Sequence, residues 1–344
     1  MQYVYGVQLT VLVTGANGYI GNAVARAFVR VGWITFGLVR SSAASANLSA
    51  EEINVVVGSI NGESSYKSIQ NSLPKTIDGI VSTTEVLSDY VPHFNNTISF
   101  LRTLTAGVIE AGGNKPLVMF TSGCKDYGVG PYFDGEAGLF PHTEDLPINP
   151  PSMLAPRAEN ATKIFDHTDV LRPVLLRLTN VYVRSASHYA GFFLVAAAAA
   201  QSGKPLVFPS KPNAVLGAVH IDDCGEAYVA IFNISAHRYE TVDEVGQALV
   251  KEYKIKAGMS CVEPQDWIPG DHPWLMMLVG FPQWTDSSNL RKVAGWENKR
   301  PLFAEAVGAY RKAFEAAAML GNPMIQKAQQ MAGVACGSYD DKTA

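Results

Sequence analysis

The sequence predicts a doubly wound parallel α/β sheet, and three observations predict it. A glycine-rich turn, Thr14-Gly-Ala-Asn-Gly-Tyr-Ile-Gly21, separates a strand-like run, Leu9 to Val13, from a helix-like run, Tyr19 to Val31. The later strand-like runs are rich in Val, Ile and Leu without polar alternation, as in strands covered on both faces. Strand and helix patterns alternate along the first half of the chain, the order that builds a parallel sheet wound by helices.

The first strand and its turn read as a phosphate cradle. Gly15 permits the tight turn, Gly18 lets the backbone approach a pyrophosphate, and Gly21 allows close helix–sheet packing. Backbone N–H groups at the following helix start face the anion with favourable dipole sign. Gly15, Asn17, Gly18, Tyr19, Ile20 and Gly21 are the expected cradle residues.

Further elements follow in order. Trp33 to Val39 reads as the second strand, Asn54 to Val57 as the third and Ile77 to Ser82 as the fourth. Asn95 to Ala111 reads as a helix, Leu117 to Thr121 as the fifth strand, Ser152 to His167 as a helix, and Val174 to Leu178 as the sixth strand. After Thr179 the pattern changes. Tyr189 to Ser202 is an alanine-rich helix, and 255–300 is an irregular lobe with Trp267, Trp274, Trp284 and Trp296. The expected division is a Rossmann domain at 1–180 and a mixed region at 181–320. The latter returns to the sheet at 215–235 and carries a smaller substrate-binding lobe. Residues 321–344 read as a tail.

Composition excludes several classes. With 344 residues, 47% hydrophobic and 17% charged, the chain has material for a large core. A net charge of −4 with dispersed Lys and Arg argues against nucleic-acid binding. Cys124, Cys224, Cys261 and Cys336 form no C-x-x-C pair, so neither a metal site nor a dithiol motif is expected. No secretory leader is expected, and Tyr189 to Ala200 is too short to span a bilayer, so the expected setting is cytoplasmic and away from membranes.

The Gly-x-x-Gly-x-x-Gly spacing behind Thr14 resembles the short-chain dehydrogenase/reductase superfamily. The similarity is to its extended branch, which includes sugar-nucleotide epimerases and dehydratases. Two more stretches carry it: Leu117-Val-Met-Phe-Thr-Ser-Gly-Cys-Lys-Asp-Tyr-Gly128 and Ala218-Val-His-Ile-Asp-Asp-Cys-Gly-Glu-Ala-Tyr228. The resemblance runs from about residue 8 to about residue 235. It implies a Rossmann fold and a nicotinamide dinucleotide. At the second strand's end, where an acid would select NAD, stands Arg40-Ser41, and no acid occurs before Glu51. Arg40 and Ser41 therefore point to the 2′-phosphate of NADP(H). Ser59 and Ile60 fall where relatives hold the adenine, and Thr83 and Thr84 where the fourth strand meets the pyrophosphate.

The catalytic centre departs from the superfamily pattern. Its Tyr and Lys positions are occupied by Met153 and Arg157, and no Tyr-x-x-x-Lys occurs in the chain. A thioether does no acid–base work, and arginine keeps its proton, leaving Arg157 a ribose contact. The hydroxyl position counts to Gly123, with Ser122 one residue earlier. Where dehydratases of this branch place an acid and a base stand Cys124 and Lys125. Lys125, desolvated near the nicotinamide, is the expected proton donor, with Ser122 and Glu85 as further catalytic candidates. His220 reads as structural, Asp222 as the N-cap of a helix from Asp223 to Asn233, and Tyr182 as a packing residue. Cys124, Met153, Tyr189, Phe193 and Trp267 are the expected substrate contacts, and only Lys204 in 186–210 is available for a diphosphate. The expected activity is an NADP(H)-dependent oxidoreductase acting on a hydrophobic small-molecule carbonyl or alcohol. A cofactor-retaining isomerase, epimerase or cyclase and a non-catalytic NADP sensor remain open alternatives, and a homodimer is compatible with all of them.

Overall fold

The computed structural model describes residues 8–128, 132–184, 187–228, 233–267, 274–322 and 325. The strands β1 (Thr10–Thr14), β2 (Ile34–Val39), β3 (Asn54–Val57), β4 (Gly79–Ser82), β5 (Leu117–Gly123) and β6 (Arg172–Leu178) form one sheet. Its order is β3-β2-β1-β4-β5-β6, and every pairing is parallel. The order reverses between β1 and β4, which opens a crevice at the carboxyl ends of those strands.

Helices cover both faces. On one face lie α1 (Tyr19–Arg30) and α2 (Ser45–Ala50), over a core that contains Val11, Val13, Phe28 and Leu48. On the other lie α3 (Tyr66–Asn71), α4 (Tyr90–Glu110) and α5 (Ala155–Ala161), over Leu12, Ile80, Phe100 and Leu101. The central strands β1 and β4 are buried along their whole length, which is why their sequences lack alternation.

The helix expected over Ser152 to His167 is broken. A 3₁₀ turn at Ser152–Leu154 leads into α5, and a second 3₁₀ stretch covers Thr162–His167. Pro156 lies in the first turn of α5, where its missing N–H costs nothing, so it sets the start of the α-helix. Helix α4 begins at Tyr90, not Asn95, because Pro92 again falls in a first turn. Strand β5 runs on to Gly123, since its register with β6 continues through Gly123 to Leu178.

Beyond β6 the chain forms β7 (Asn180–Tyr182), α6 (Ala190–Ser202), β8 (Leu206–Phe208), β9 (Val215–Leu216) and β10 (Ala218–His220). Strand β10 pairs in parallel with β7, in a two-stranded sheet separate from the six-stranded one. Next is α7 (Ile221–Ala227), which packs on α1; a Cβ at Gly225 would come within 2.6 Å of the Ala23 carbonyl oxygen. The expected helix from Asp223 to Asn233 is corrected: its N-cap is His220, whose Nδ1 accepts the Asp222 N–H at 3.1 Å. Residues 229–232 lie outside the described residues. The Asp222 carboxylate is instead paired with Arg184 at 2.7 Å.

The remaining elements are β11 (Glu240–Thr241), α8 (Val242–Tyr253), β12 (Met259–Cys261), α9 (Trp274–Val279), α10 (Ser288–Ala294) and α11 (Val307–Met319). A capping box starts α8, with the Thr241 hydroxyl accepting from Glu244 N and the Glu244 carboxylate accepting from Thr241 N. Helices α6, α8 and α11 enclose a second core rich in aromatics, including Tyr182, Tyr189, Phe192, Phe193 and Phe303. Most of the expected tail lies outside the described residues, as do the Trp274 side chain and Cys336. Among the described residues no helix is long and apolar enough to cross a membrane.

Candidate active site

The turn after β1 has the geometry of an anion cradle. Gly15 adopts φ +66°, and its N–H donates to the Leu38 carbonyl at 3.0 Å, tying the turn to β2. A Cβ at Gly21 would lie 2.3 Å from the Gly15 oxygen and 2.7 Å from Thr83 Oγ1. Side chains are therefore barred where α1 meets the turn. Gly18 is the N-cap of α1, no side chain caps that end, and its first turn carries no acid. The leading N–H groups thus have no side-chain acceptor, which suits a bound phosphate. On the β4 side, Thr83 Oγ1 donates to the Thr14 carbonyl at 2.6 Å, while Thr84 Oγ1 is buried without a hydrogen-bond partner among the described residues. A nicotinamide dinucleotide fits this donor set.

Asn17 and Ile20 lie on the same turn and helix start. Tyr19 reaches across the crevice. Its hydroxyl donates to the Val183 carbonyl at 2.7 Å, and the Ser187 side chain is a further partner. Burial raises its pKa well above the usual phenol range. Val183 and Arg184 both adopt left-handed φ, +72° and +66°, so a tight, strained corner follows β7 at the spot Tyr19 grips.

At the end of β2, Arg40 is exposed and has no ion pair among the described residues. The Ser41 hydroxyl accepts the Ala43 N–H at 3.2 Å. Glu51 turns back to α1, where Asn22 Nδ2 donates to it at 2.8 Å and Arg26 lies 3.5 Å away. The Ser59 hydroxyl accepts from Asn61 N at 3.0 Å, and Ile60 is buried under Tyr66.

The carboxyl end of β5 holds the altered chemistry. Asp126 is fully buried, and three donors converge on it: Ser122 Oγ at 2.5 Å, and Arg157 Nε and Nη2 at 2.9 and 2.8 Å. Arg177 stands 3.6 Å off and stacks on the Tyr127 ring at 4.9 Å. The Arg157 guanidinium is thereby bonded to Asp126 and lies 3.6 Å from Glu85. The guanidinium also packs against Gly123, where a Cβ would come within 2.9 Å of Arg157 Nη2. Ser122 is likewise turned inward to Asp126 rather than held free for a substrate oxygen.

Lys125 points elsewhere. It is half-buried, and its Nζ sits 5.1 Å from the centre of the Phe281 ring. Desolvation, with the Arg157 charge second, lowers its pKa to about 8. Glu85 is partly exposed, and desolvation raises its pKa despite Arg157. Sequence reasoning missed His188. Its ring is exposed, yet desolvation and then the Lys125 charge lower its pKa. No spacing motif in the sequence marks His188.

Of the expected substrate contacts, Cys124 is buried with its Sγ donating to the Arg177 carbonyl, and burial pushes its thiol up to about 12. Met153 is 52% exposed. Tyr189 and Phe193 are corrected: they face the closed second core against Phe303, at ring separations of 4.8 and 5.4 Å, in place of a cleft wall. Trp267 packs at that core's edge, with its indole N–H unpartnered among the described residues. Tyr182 is a packing residue, donating its hydroxyl to the Pro301 carbonyl. Among the described residues no cluster of acids, histidines or cysteines could hold a metal ion.

Comparison with known proteins agrees with the fold. UDP-N-acetylglucosamine 4-epimerase from Bacillus cereus aligns with 90% of this chain and 97% of its own at 17% identity, TM-score 0.63. The dTDP-glucose 4,6-dehydratase from Bacillus anthracis, solved in complex with NAD, aligns over 92% and 99% at 15% identity, TM-score 0.67. UDP-glucose 4-epimerase from Thermotoga maritima, solved with UDP-glucose, aligns over 90% and 100% at 18% identity, TM-score 0.65. No curated protein matches the sequence. The sequence profile of one family covers residues 11–241, a span that includes the glycine cradle, the β5 end and the His220 segment. On that match, and with the sheet order and cradle in place, the chain belongs to the NAD dependent epimerase/dehydratase family, whose members are NAD(P)-dependent enzymes.

Proposed function

We propose that this protein is an NADP(H)-dependent oxidoreductase that acts on a hydrophobic small-molecule carbonyl or alcohol, with Lys125 as the proton donor. The observation that carries the reading is the Lys125 environment: a half-buried amine at the carboxyl end of β5, over the Phe281 ring, with its pKa lowered to about 8. An amine so placed exchanges protons near neutral pH, which the usual Tyr-based arrangement cannot do here because Met153 and Arg157 hold its positions.

The cofactor, when bound, supplies or accepts hydride at its nicotinamide. The glycine cradle holds its pyrophosphate, and Arg40 with Ser41 receives a 2′-phosphate. Preference for NADP(H) is supported by an exposed Arg40 and by Glu51 being held away by Asn22 and Arg26. Lys125 gives its proton to the carbonyl oxygen during reduction and takes it back during oxidation. Glu85 is the reserve acid–base group, its carboxyl partly exposed and 3.6 Å from Arg157, with its pKa raised by desolvation. Phe281 and Met153 offer apolar surface to the substrate.

Lys125→Met tests the reading. Single-turnover reduction with NADPH should slow by roughly 10²–10⁴ while NADPH affinity stays within about twofold. Wild-type turnover in this variant would overturn the Lys125 assignment. A cofactor-binding sensor without turnover is favoured by one observation, the capture of both Ser122 and Arg157 by Asp126. It becomes the better account if neither Lys125→Met nor Glu85→Gln changes any rate.

A further inference from the structure

We propose that Phe281 and Gln283 are positioning residues for Lys125: the Gln283 side chain fixes the turn that carries it, and the Phe281 ring holds its ammonium group. The inference rests on the reading of Lys125 as proton donor and adds what aims that group and keeps it charged.

Both residues lie on the segment after α9, far from β5 in sequence, and that segment is held along two edges. Gln283 N donates to the Val215 carbonyl at 3.0 Å, and the Gln283 carbonyl accepts the Gly217 N–H at 2.8 Å. Along the other edge, the Trp284 carbonyl accepts the His142 N–H at 2.9 Å, and Asp286 N donates to the His142 carbonyl at 2.8 Å. The fit against β9 is close, since a Cβ at Gly217 would lie 2.6 Å from the Gln283 oxygen.

From this fixed backbone the buried Gln283 side chain reaches the end of β5. Its Nε2 donates to the Cys124 carbonyl and lies 3.5 Å from the Gly128 carbonyl. Those two carbonyls bracket Lys125 in the 3₁₀ turn Cys124–Tyr127. One amide therefore ties both ends of that turn. The carbonyls between them are held as well, that of Lys125 by Gly128 N and that of Asp126 by Asn149 N, both at 3.1 Å. Two residues before Gln283, the centre of the Phe281 ring stands 5.1 Å from Lys125 Nζ. The same segment thus delivers both contacts.

An aromatic face is electrically negative, so it attracts an ammonium group far more than a neutral amine. At Lys125 this attraction opposes two influences that favour loss of the proton, desolvation and then the Arg157 charge. Asp126 and Glu85, the acids of the region, pair with Arg157. The His188 ring is a further titratable group, its pKa lowered by desolvation and then by the Lys125 charge. Phe281 acts against these cationic neighbours and helps a desolvated Lys125 keep its proton near neutral pH. Gln283 keeps the turn aligned with the ring.

The test reads Lys125 directly and needs no substrate. The full chain, carrying lysine labelled with ¹³C at Cε, is titrated and followed by nuclear magnetic resonance, with the Lys125 signal assigned by its loss in Lys125→Met. Phe281→Leu keeps apolar bulk and removes the ring. The Lys125 midpoint should then fall by about 0.5–1 pH unit, and the upfield displacement that a ring face imposes on the Cε protons should vanish. Phe281→Tyr restores a ring face and should return both to their native values, whereas a space-filling role would let leucine serve as well as tyrosine. Gln283→Leu, in a chain that still unfolds cooperatively, should weaken the upfield displacement and lower the midpoint in the same direction. An unmoved midpoint in Phe281→Leu, or no recovery in Phe281→Tyr, overturns the inference, as does a folded Gln283→Leu chain with a native Lys125 signal. If Gln283→Leu does not fold, the two Phe281 variants decide. If the shifts appear while Lys125→Met keeps full turnover, the positioning stands and the donor assignment alone fails.

Discussion

Arg157 and Asp126 lock together through two hydrogen bonds, from Nε at 2.9 Å and Nη2 at 2.8 Å, in the place where relatives of this fold are expected to keep a catalytic lysine. The pair converts a helix position of chemical importance into an internal tether between α5 and the end of β5. Buried ion pairs resist the loss of one partner, because the survivor is left charged without compensation.

Asp126→Ala should therefore cost about 3–5 kcal/mol of stability, since it strands Arg157 and Arg177 together in the interior. Urea unfolding checks this through the transition midpoint, with an unchanged slope. A loss below about 1 kcal/mol would show that the arginines find water or Glu85 instead.

The pH dependence of the reaction follows from Lys125. Its pKa is lowered to about 8, so the ammonium form prevails below that value and the neutral amine above it. Reduction needs the proton, so its rate should be level below pH 8 and fall tenfold per unit well above it. Oxidation needs the neutral amine and should show the opposite limb. Both limbs should vanish in Lys125→Met, and Lys125→Arg should not restore them, because guanidinium keeps its proton.

Arg40→Ala should erode the preference for NADPH over NADH. A charge-assisted phosphate contact contributes about 1.5–3 kcal/mol, so NADPH affinity should drop about tenfold or more while NADH affinity barely moves. Fluorescence titration of the two cofactors measures this directly. Equal affinities in the native chain would exclude the 2′-phosphate role.

Gly21→Ala should weaken both cofactors alike. The added methyl would meet the Gly15 oxygen at 2.3 Å and Thr83 Oγ1 at 2.7 Å, so the turn must open and its N–H groups lose their aim. A loss of at least about tenfold for NADPH and NADH, with their ratio preserved, is the expected titration result.

The residues themselves determined the cradle and the sheet. Gly15, Gly18 and Gly21 act through local backbone freedom and the room a missing Cβ leaves, and both are properties of a short contiguous segment. The unbroken apolar runs of β1 and β4 announced burial on two faces, and the structure places them side by side at the crevice. The absence of a Tyr-x-x-x-Lys pair was likewise legible, as were Arg40 and Lys125 as unusual residues at strand ends.

Only the tertiary structure decided what those residues face. Ser122 and Arg157 are captured by Asp126, and Arg157 and Asp126 stand 31 positions apart, a meeting no local pattern encodes. Tyr189 and Phe193 resembled pocket lining because aromatic side chains serve walls and cores equally well. Phe303, brought back from more than a hundred residues away, closed the core over them. The Tyr19 hydroxyl holds the corner after β7 through the Val183 carbonyl, 164 positions away in the chain. Local chemistry is written in neighbouring residues, but the protonation and partner of a side chain depend on charge and solvent access. Those are set only when distant segments pack together.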